Sequence, residues 1–259
     1  MAKRVVGAIV GLPFLIAIVY FGGWALAAAL FAVAIVGQVE LFKAFGSPKW
    51  PHFVVMTISA IYIFCLVLFP LPVNLFAIFV PIFVLLYISL FILKERVFTI
   101  SLLGFFYITA LLSAILIMEQ NFGLYYVWFI FIGAWGCDTG AYFSGKAFGK
   151  RKLAPRLSPN KTVAGLVGGC VAAAGLCVLY AFILYNLNIW EWQPPHIFAI
   201  YGLIAALLGQ AGDLAASAIK RRTGIKDFGR IIFGHGGVLD RFDSILLVAP
   251  FALLFFYFI

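Results

Sequence analysis

Charged residues are scarce in this chain, because only 10% of its 259 residues are Asp, Glu, Lys or Arg while 65% are hydrophobic. A water-soluble domain of this length needs far more polar surface, so the composition excludes a soluble globular protein. The mean hydropathy of +1.14 agrees with that exclusion. The solvent around most of this chain is therefore expected to be a lipid bilayer.

Cysteine and histidine are also few, with four and three residues. Cys65, Cys137, Cys170 and Cys177 all fall in apolar stretches without paired spacing. This pattern indicates neither a disulfide framework nor a zinc site, and it predicts small apolar core residues. The two halves of the chain do not repeat each other, which counts against the inverted repeats of many transporters.

Long apolar stretches are abundant, and a membrane-crossing helix needs about 20 such residues. The sequence predicts an all-α, polytopic integral membrane protein with about nine transmembrane helices and no separate soluble domain. The Gly22-Gly23 break is the weakest boundary between two of them. The predicted spans are Val5–Phe21, Trp24–Phe42, Phe53–Phe69, Val73–Leu93, Phe98–Met118, Leu124–Phe143, Val163–Tyr185, Ile197–Ile219 and Ser244–Ile259.

The N-terminus also resembles a secretory signal peptide, because Lys3 and Arg4 precede an apolar run and Ala25-Leu26-Ala27 has the composition of a cleavage site. The apolar run is long for a signal peptide and simply continues. We therefore expect an uncleaved first helix.

Basic residues predict the orientation of the chain. All 18 Lys and Arg fall in five places that alternate along the predicted spans, namely residues 3–4, 43–49, 94–96, 146–161 and 220–241. Since such residues are retained on the cytoplasmic side, the N-terminus and both long basic loops should be cytoplasmic. The two long loops carry more basic residues than orientation requires. Anionic lipid or a polyphosphate is therefore a natural partner, and nucleic acid is not expected.

Polarity is concentrated in the second half. Residues 1–120 are interpreted as a scaffold of transmembrane helices, with Glu40 as an acid near a cytoplasmic helix end. Residues 121–259 are interpreted as the catalytic region, which carries both long basic loops.

Ionisable groups at membrane depth usually mark a pathway or a site. Asp138 and Asp213 lie within predicted spans, and a salt-bridge or capping role remains the alternative for each. On a helix, Asp213, Ser217 and Lys220 share one face at i, i+4 and i+7. Gly209 and Gly212 beside them would allow close helix packing or close approach of a ligand.

Asp240 and Asp243 stand at i and i+3 at the entry to the last span. Asp243 has an alternative role as a helix cap. Asp213 and Asp240, from neighbouring helix ends beneath a cationic loop, suit a hard divalent cation such as Mg²⁺. A second cation, monovalent or divalent, remains open.

Both basic loops combine cations with glycines, and such groups bind phosphate oxygens. In the later loop, snorkelling at a helix end is the alternative for Lys220-Arg221-Arg222, and His235 stands among three glycines. In the earlier loop, Ser158-Pro159 is expected to start a helix whose first turn holds Lys161 and Thr162. A plain cap is the alternative there.

Two long runs resemble the phosphatidate cytidylyltransferase family. Ser217 to Asp243, SAIKRRTGIKDFGRIIFGHGGVLDRFD, resembles the family signature almost position for position. Cys137 to Thr162, CDTGAYFSGKAFGKRKLAPRLSPNKT, resembles its second region. Ala164 departs from the pattern, since the family often has an acid there, and any role of that acid cannot be assigned here.

The resemblance implies that a dimeric membrane enzyme uses Mg²⁺ to convert phosphatidate and CTP into CDP-diacylglycerol and pyrophosphate. Asp213 and Asp240 would be metal ligands and, with Lys226, catalytic residues. The residues expected to bind or orient substrate are Ser158, Asn160, Lys161, Thr162, Lys220, Arg221, Arg222, His235, Asp243 and Asp138. For Asp138 the expected role is to position a cation or to contact the nucleotide.

Two rival functions remain at this stage. Another CTP-using membrane enzyme, such as a polyprenol kinase or a cytidylyltransferase for an ether lipid, would need a similar cationic site. A transporter of an anionic solute would need polar residues that reach the outer half, whereas here they gather at one face.

Overall fold

The computed structural model describes residues 13–47, 49–69, 72, 96–229 and 236–259. These residues are almost entirely helical, as predicted. Helical residues 13–21 come first, and the later helices are α1 (Gly23–Phe45), α2 (Lys49–Leu68), α3 (Arg96–Leu103), α4 (Leu111–Phe122), α5 (Leu124–Phe148), α6 (Val163–Asn186), α7 (Pro195–Arg222), α8 (Leu239–Phe242) and α9 (Ile245–Tyr257). A π-helical segment, Gly104–Ala110, joins α3 to α4.

The apolar stretches form helices close to their predicted bounds. Four helical stretches are long and apolar enough to cross a membrane, namely Gly23–Phe45, Thr99–Phe122, Val163–Asn186 and Pro195–Arg222. These helices confirm a membrane protein, but nine spans remain a prediction. The span predicted at Val73–Leu93 and much of the one at Val5–Phe21 lie outside the described residues.

The break predicted at Gly22-Gly23 is confirmed. Gly22 interrupts the helix, and both glycines have positive φ values of 56° and 45°, which glycine adopts without steric cost. The Glu119 side chain reaches this break, where its Oε1 accepts a hydrogen bond from the Gly23 N–H at 3.3 Å.

The structure divides into two compact units. The first contains the described residues up to Val127 together with Lys220–Phe242 and Phe256–Ile259, and the second contains Trp128–Ile219 and Asp243–Phe255. The functional division at residue 120 stays a prediction. In the first unit, the later basic loop belongs with the N-terminal helices.

The core of the first unit includes a polar cluster around the π-helical segment. Gln38 is fully buried, and its Nε2 lies 2.7 Å from Ser59 Oγ and 2.8 Å from Thr109 Oγ1. Nearby, Phe42 stacks on His52 with ring centroids 4.4 Å apart. Ser59 and Thr109 thus satisfy the Gln38 amide nitrogen, whereas Gln38 Oε1 has no hydrogen-bond partner among the described residues.

Glycines allow a close crossing of α5 and α6 in the second unit. A Cβ at Gly169 would lie 2.8 Å from the Cys137 carbonyl oxygen, and one at Gly165 would lie 2.9 Å from that of Ala141. Cys137 and Cys177 are buried as predicted, whereas Cys65 in the first unit is exposed, contrary to prediction. Small residues here let two apolar helices approach until their backbones touch.

The segment before α6 differs from its prediction. Ser158–Thr162 does not start a helix but forms strand β2, paired antiparallel with β1 (Lys152–Ala154). The helix begins only at Val163, and Thr162 is its N-cap, with Oγ1 accepting the Gly165 N–H at 3.0 Å. The backbone N–H and C=O groups of this segment form hydrogen bonds between the strands in place of those that a helix would have made. Pro159 is tolerated because both strands of a two-stranded ribbon are edge strands.

Candidate active site

Lys161 is the centre of a polar cluster in the second unit. Its Nζ lies 2.6 Å from Asp213 Oδ2 and 2.8 Å from Gln210 Oε1. The side chains of Lys161 and Asp213 are 16% and 27% exposed, so this ion pair is only partly desolvated. The salt-bridge role that the sequence left open for Asp213 is therefore present.

Gln210 links this pair to Asp138. It is buried, and its Nε2 donates to Asp138 Oδ1 at 3.4 Å and contacts Cys137 Sγ at 3.6 Å. Asp138 itself is exposed on α5. The sequence reasoning missed Gln210, although a glutamine three residues before Asp213 in an apolar helix was a usable signal, because these positions share one helix face.

The remaining predicted residues of the earlier loop have different surroundings. Asn160 is exposed, Ser158 is half-buried in β2, and Thr162 is buried as the helix cap. Five cations from the last turn of α5 to the turn before β2 are also exposed, namely Lys146, Lys150, Arg151, Lys152 and Arg156. This ribbon therefore offers a dense positive surface next to Lys161, which suits a polyanionic ligand.

Close packing accounts for the glycines near Asp213. A Cβ at Gly212 would lie 2.5 Å from the Asp243 carbonyl oxygen, and one at Gly209 would lie 3.5 Å from Val248. Asp243 is buried just before α9, and its Oδ1 accepts the Ser244 N–H at 2.8 Å. The Gly212 and Gly209 contacts match close helix packing. The Ser244 N–H precedes α9, so the capping alternative for Asp243 stays a prediction.

In the first unit, Lys220 and Asp240 form a buried ion pair. Lys220 Nζ lies 2.7 Å from Asp240 Oδ1, with side-chain exposures of 10% and 4%. The ammonium also lies over the Phe228 ring, 5.3 Å from its centroid. A buried pair of this kind is sensitive to the loss of either partner, because the other charge would stay behind in a low-dielectric site.

The glycines of the later loop approach carboxylates. Asp240 Oδ2 accepts hydrogen bonds from the N–H groups of Phe228 and Gly237, at 2.9 and 3.0 Å. Gly236 has a positive φ of 83°, and a Cβ there would lie 3.0 Å from the same oxygen. The backbone N–H of Gly237, which the sequence suggested for phosphate, is thus bonded to Asp240.

The other cations of the later loop lie at its surface. Arg221, Arg222 and Lys226 are exposed, and Arg221 donates to the Ile225 carbonyl oxygen at 3.2 Å near the end of α7.

On α7, Ser217 Oγ donates to Asp213 Oδ1 at 3.3 Å, which confirms that these residues share a helix face. His235 lies outside the described residues.

The fit of a divalent cation can be judged from the two carboxylates. Among the described residues, no group of three or more His, Cys, Asp or Glu side chains could hold a metal ion. Asp213 nevertheless suits an oxygen-preferring cation, since its side chain is 27% exposed and the Lys161 ammonium lies where a cation would bind. Asp240 is 4% exposed, and Lys220 and two N–H groups use most of its acceptor capacity.

Comparison with known proteins shows the family of the chain. The sequence profile described as "Cytidylyltransferase family" matches residues 2–259. The chain belongs to this cytidylyltransferase family. The match includes both basic loops and every cluster described above.

Several relatives of this family member carry the name phosphatidate cytidylyltransferase. The protein of Staphylococcus aureus (strain COL) is 48% identical over 130 residues, which cover 49% of this chain and 47% of the relative. That of Bacillus subtilis (strain 168) is 40% identical over 176 residues, covering 65% and 63%. The chain thus spans about half the length of the staphylococcal relative it matches and less than two thirds of the Bacillus one.

Proposed function

We propose that this protein is a CTP:phosphatidate cytidylyltransferase, which transfers CMP from CTP to phosphatidate and produces CDP-diacylglycerol and pyrophosphate in phospholipid biosynthesis. The observation that carries the proposal is that a lysine of each basic loop lies against a carboxylate, Lys161 on Asp213 and Lys220 on Asp240. Family membership and the names of the relatives support the same reaction.

The reaction makes modest demands on acid-base groups. A phosphate oxygen of phosphatidate would attack the α-phosphorus of CTP, the new P–O bond would form, and the bond to pyrophosphate would break. The second pKa of a phosphate monoester is about 6, so the nucleophile is already largely ionised near neutral pH. No strong general base is needed, which agrees with the scarcity of histidine.

The main task is to bring two polyanions together and to stabilise the charge that passes to pyrophosphate. Lys161 and the exposed cations of the earlier loop would bind phosphate oxygens. Arg221, Arg222 and Lys226 would do so from the later loop, where they are exposed. Ser158 and Asn160 would orient substrate, while Thr162 would act by fixing the start of α6 beside Lys161.

Mg²⁺ is the proposed cofactor, with Asp213 and Asp240 as its candidate ligands and a second cation as an open addition. When bound, Mg²⁺ would neutralise phosphate charge and polarise the bond that breaks. Asp213 can offer an oxygen once Lys161 moves to a substrate phosphate. Asp240 can do so only if Lys220 gives up its present contact.

The remaining proposals concern the surroundings of the enzyme. The alternation of basic residues supports an inner or plasma membrane location with the site facing the cytoplasm. Phosphatidate would reach the site from the membrane, with CTP arriving from the cytoplasm. A homodimer is proposed from the resemblance stated above.

The reaction is tested by measuring pyrophosphate release from CTP by purified protein in detergent micelles, with and without phosphatidate and Mg²⁺. We expect release only when all three are present, together with CDP-diacylglycerol. Release with a polyprenol or ether lipid in place of phosphatidate would reassign the acceptor. No release under any condition would contradict an enzymatic function of this kind.

Gln210 provides a second test within the second unit. In Gln210→Leu, Lys161 loses its 2.8 Å bond to the amide and keeps only Asp213. A hydrogen bond to a charged group contributes about 1.5–3 kcal/mol, so we expect kcat/KM to fall about 10- to 100-fold. Gln193→Leu, in the loop before α7, is the matched control and should retain normal activity. Equal activity of both variants would show that Gln210 does not position Lys161.

A further inference from the structure

Glu40 is a buried acid in a helix whose sequence indicates only a scaffold. It lies on α1 and is 3% exposed, among residues apolar enough to cross a membrane. Burial of a carboxylate in such surroundings is costly unless hydrogen bonds compensate for the lost water. The contacts of Glu40 therefore indicate what the acid does.

Those contacts are made by the turn that leads to Asp240. Glu40 Oε1 accepts the Val238 N–H at 3.0 Å, and Oε2 accepts the Leu239 N–H at 2.9 Å. Nearly 200 residues of sequence separate the acid from these donors. A carboxylate that receives two backbone N–H groups fixes the conformation of the segment that carries them.

The glycines of the later loop fit this carboxylate closely. A Cβ at Gly237 would lie 2.5 Å from both Glu40 oxygens, and one at Gly229 would collide with Oε1. Any residue larger than glycine at these two positions would displace the Glu40 carboxylate, so the contact between the loop and Glu40 requires glycine there. Leu239 also packs beside Gly37, one turn before Glu40 on α1.

Glu40 and Asp240 divide the donors of this turn between them. Asp240 Oδ2 accepts the Gly237 N–H, and Glu40 accepts the next two, so three successive N–H groups are bound by two carboxylates. The other Asp240 oxygen holds Lys220. Movement of the turn would therefore displace Asp240 and, through it, Lys220.

We propose that Glu40 is a positioning residue of the cytidylyltransferase site, which holds the turn 237–239 so that Asp240 and Lys220 keep their geometry. The inference rests on the proposed function for its effect on catalysis. Its structural part, the clamping of the turn, does not. The N-terminal helices thus contribute a specific group to the site in addition to support.

The test compares Glu40→Gln with Glu119→Gln, an acid-to-amide control whose carboxylate also accepts one backbone N–H, in the same unit. The Glu40→Gln amide keeps one acceptor oxygen but turns an NH₂ donor toward the other N–H. We expect faster hydrogen–deuterium exchange of the amides at 237–239 in Glu40→Gln only. A misplacement of about 1 Å can cost about 100-fold, so we expect kcat to fall by 10- to 100-fold, on the order of that limit.

The outcomes separate the two proposals. Unchanged exchange at 237–239, or faster exchange with normal kcat, overturns the positioning role. Absence of pyrophosphate release by the unmodified protein contradicts the proposed function, while the exchange data still test the clamp. If Glu40→Gln does not fold, Glu40→Asp replaces it, because it keeps the charge but withdraws the carboxylate by about 1.5 Å, the length of one C–C bond.

Discussion

Asp213→Asn is expected to abolish nearly all CTP-dependent pyrophosphate release while the protein stays folded in detergent. The amide has the size of the carboxylate but lacks the charge that holds Lys161 at 2.6 Å and that would attract a divalent cation. Loss of one preorganised charged contact in a transferase site lowers kcat by about 100- to 1000-fold. Folding should persist because the pair is partly exposed, and such pairs contribute about 1 kcal/mol or less to stability.

The matched control for Asp213→Asn is Glu191→Gln, an acid-to-amide change at an exposed position of the same unit. Activity and melting temperature of this control should equal those of the unmodified protein. Normal turnover by Asp213→Asn would defeat the assignment of Asp213 as a metal ligand. If both variants lost their fold, the loss of activity in Asp213→Asn would reflect a general sensitivity of this unit to acid-to-amide substitution.

Asp240→Asn is expected to lose activity to a similar extent and, unlike Asp213→Asn, to lose stability as well. Asp240 and Lys220 are almost fully buried, so removal of one charge leaves the other without its counter-charge. Breaking such a pair from one side costs about 3–5 kcal/mol. The variant should remain folded in detergent but unfold at a lower temperature, measured by thermal denaturation alongside pyrophosphate release.

The double variant Asp240→Asn/Lys220→Met distinguishes the two effects. Since it removes both charges, much of the lost stability should return, because an apolar replacement for a buried pair is often neutral or stabilising. Activity should not return, as neither the carboxylate nor the ammonium is then present. Recovery of both properties would show that the pair serves the fold alone.

The helices could be predicted because a bilayer requires long apolar segments, and those segments are visible along the chain. α6 and α7 begin and end within about three residues of their predicted bounds, a usual uncertainty for helix ends. The strand Ser158–Thr162 could not be predicted in this way. It depends on pairing with Lys152–Ala154, and the N-cap role of Thr162 moves the helix start to Val163.

The candidate site was predictable in part. Asp213 was identified from its charge at membrane depth, Asp240 from its place at the entry to the last span, and Lys161 and Lys220 from the two basic loops. Each of them takes part in an ion pair. Their partners were not identified, because Lys161 meets Asp213 across more than fifty residues of sequence. Gln210 was missed since it carries no charge, although it binds Lys161.

The sequence by itself determined the class of protein, the helices and the two cationic loops. A lipid bilayer requires long apolar segments and retains basic residues on one side, and both features are visible in the sequence. Only the tertiary structure decided which donor each carboxylate receives. Glu40 shows the reason most clearly. Its donors, Val238 and Leu239, are backbone N–H groups that every non-proline residue has, so no pattern of side chains could reveal that they meet.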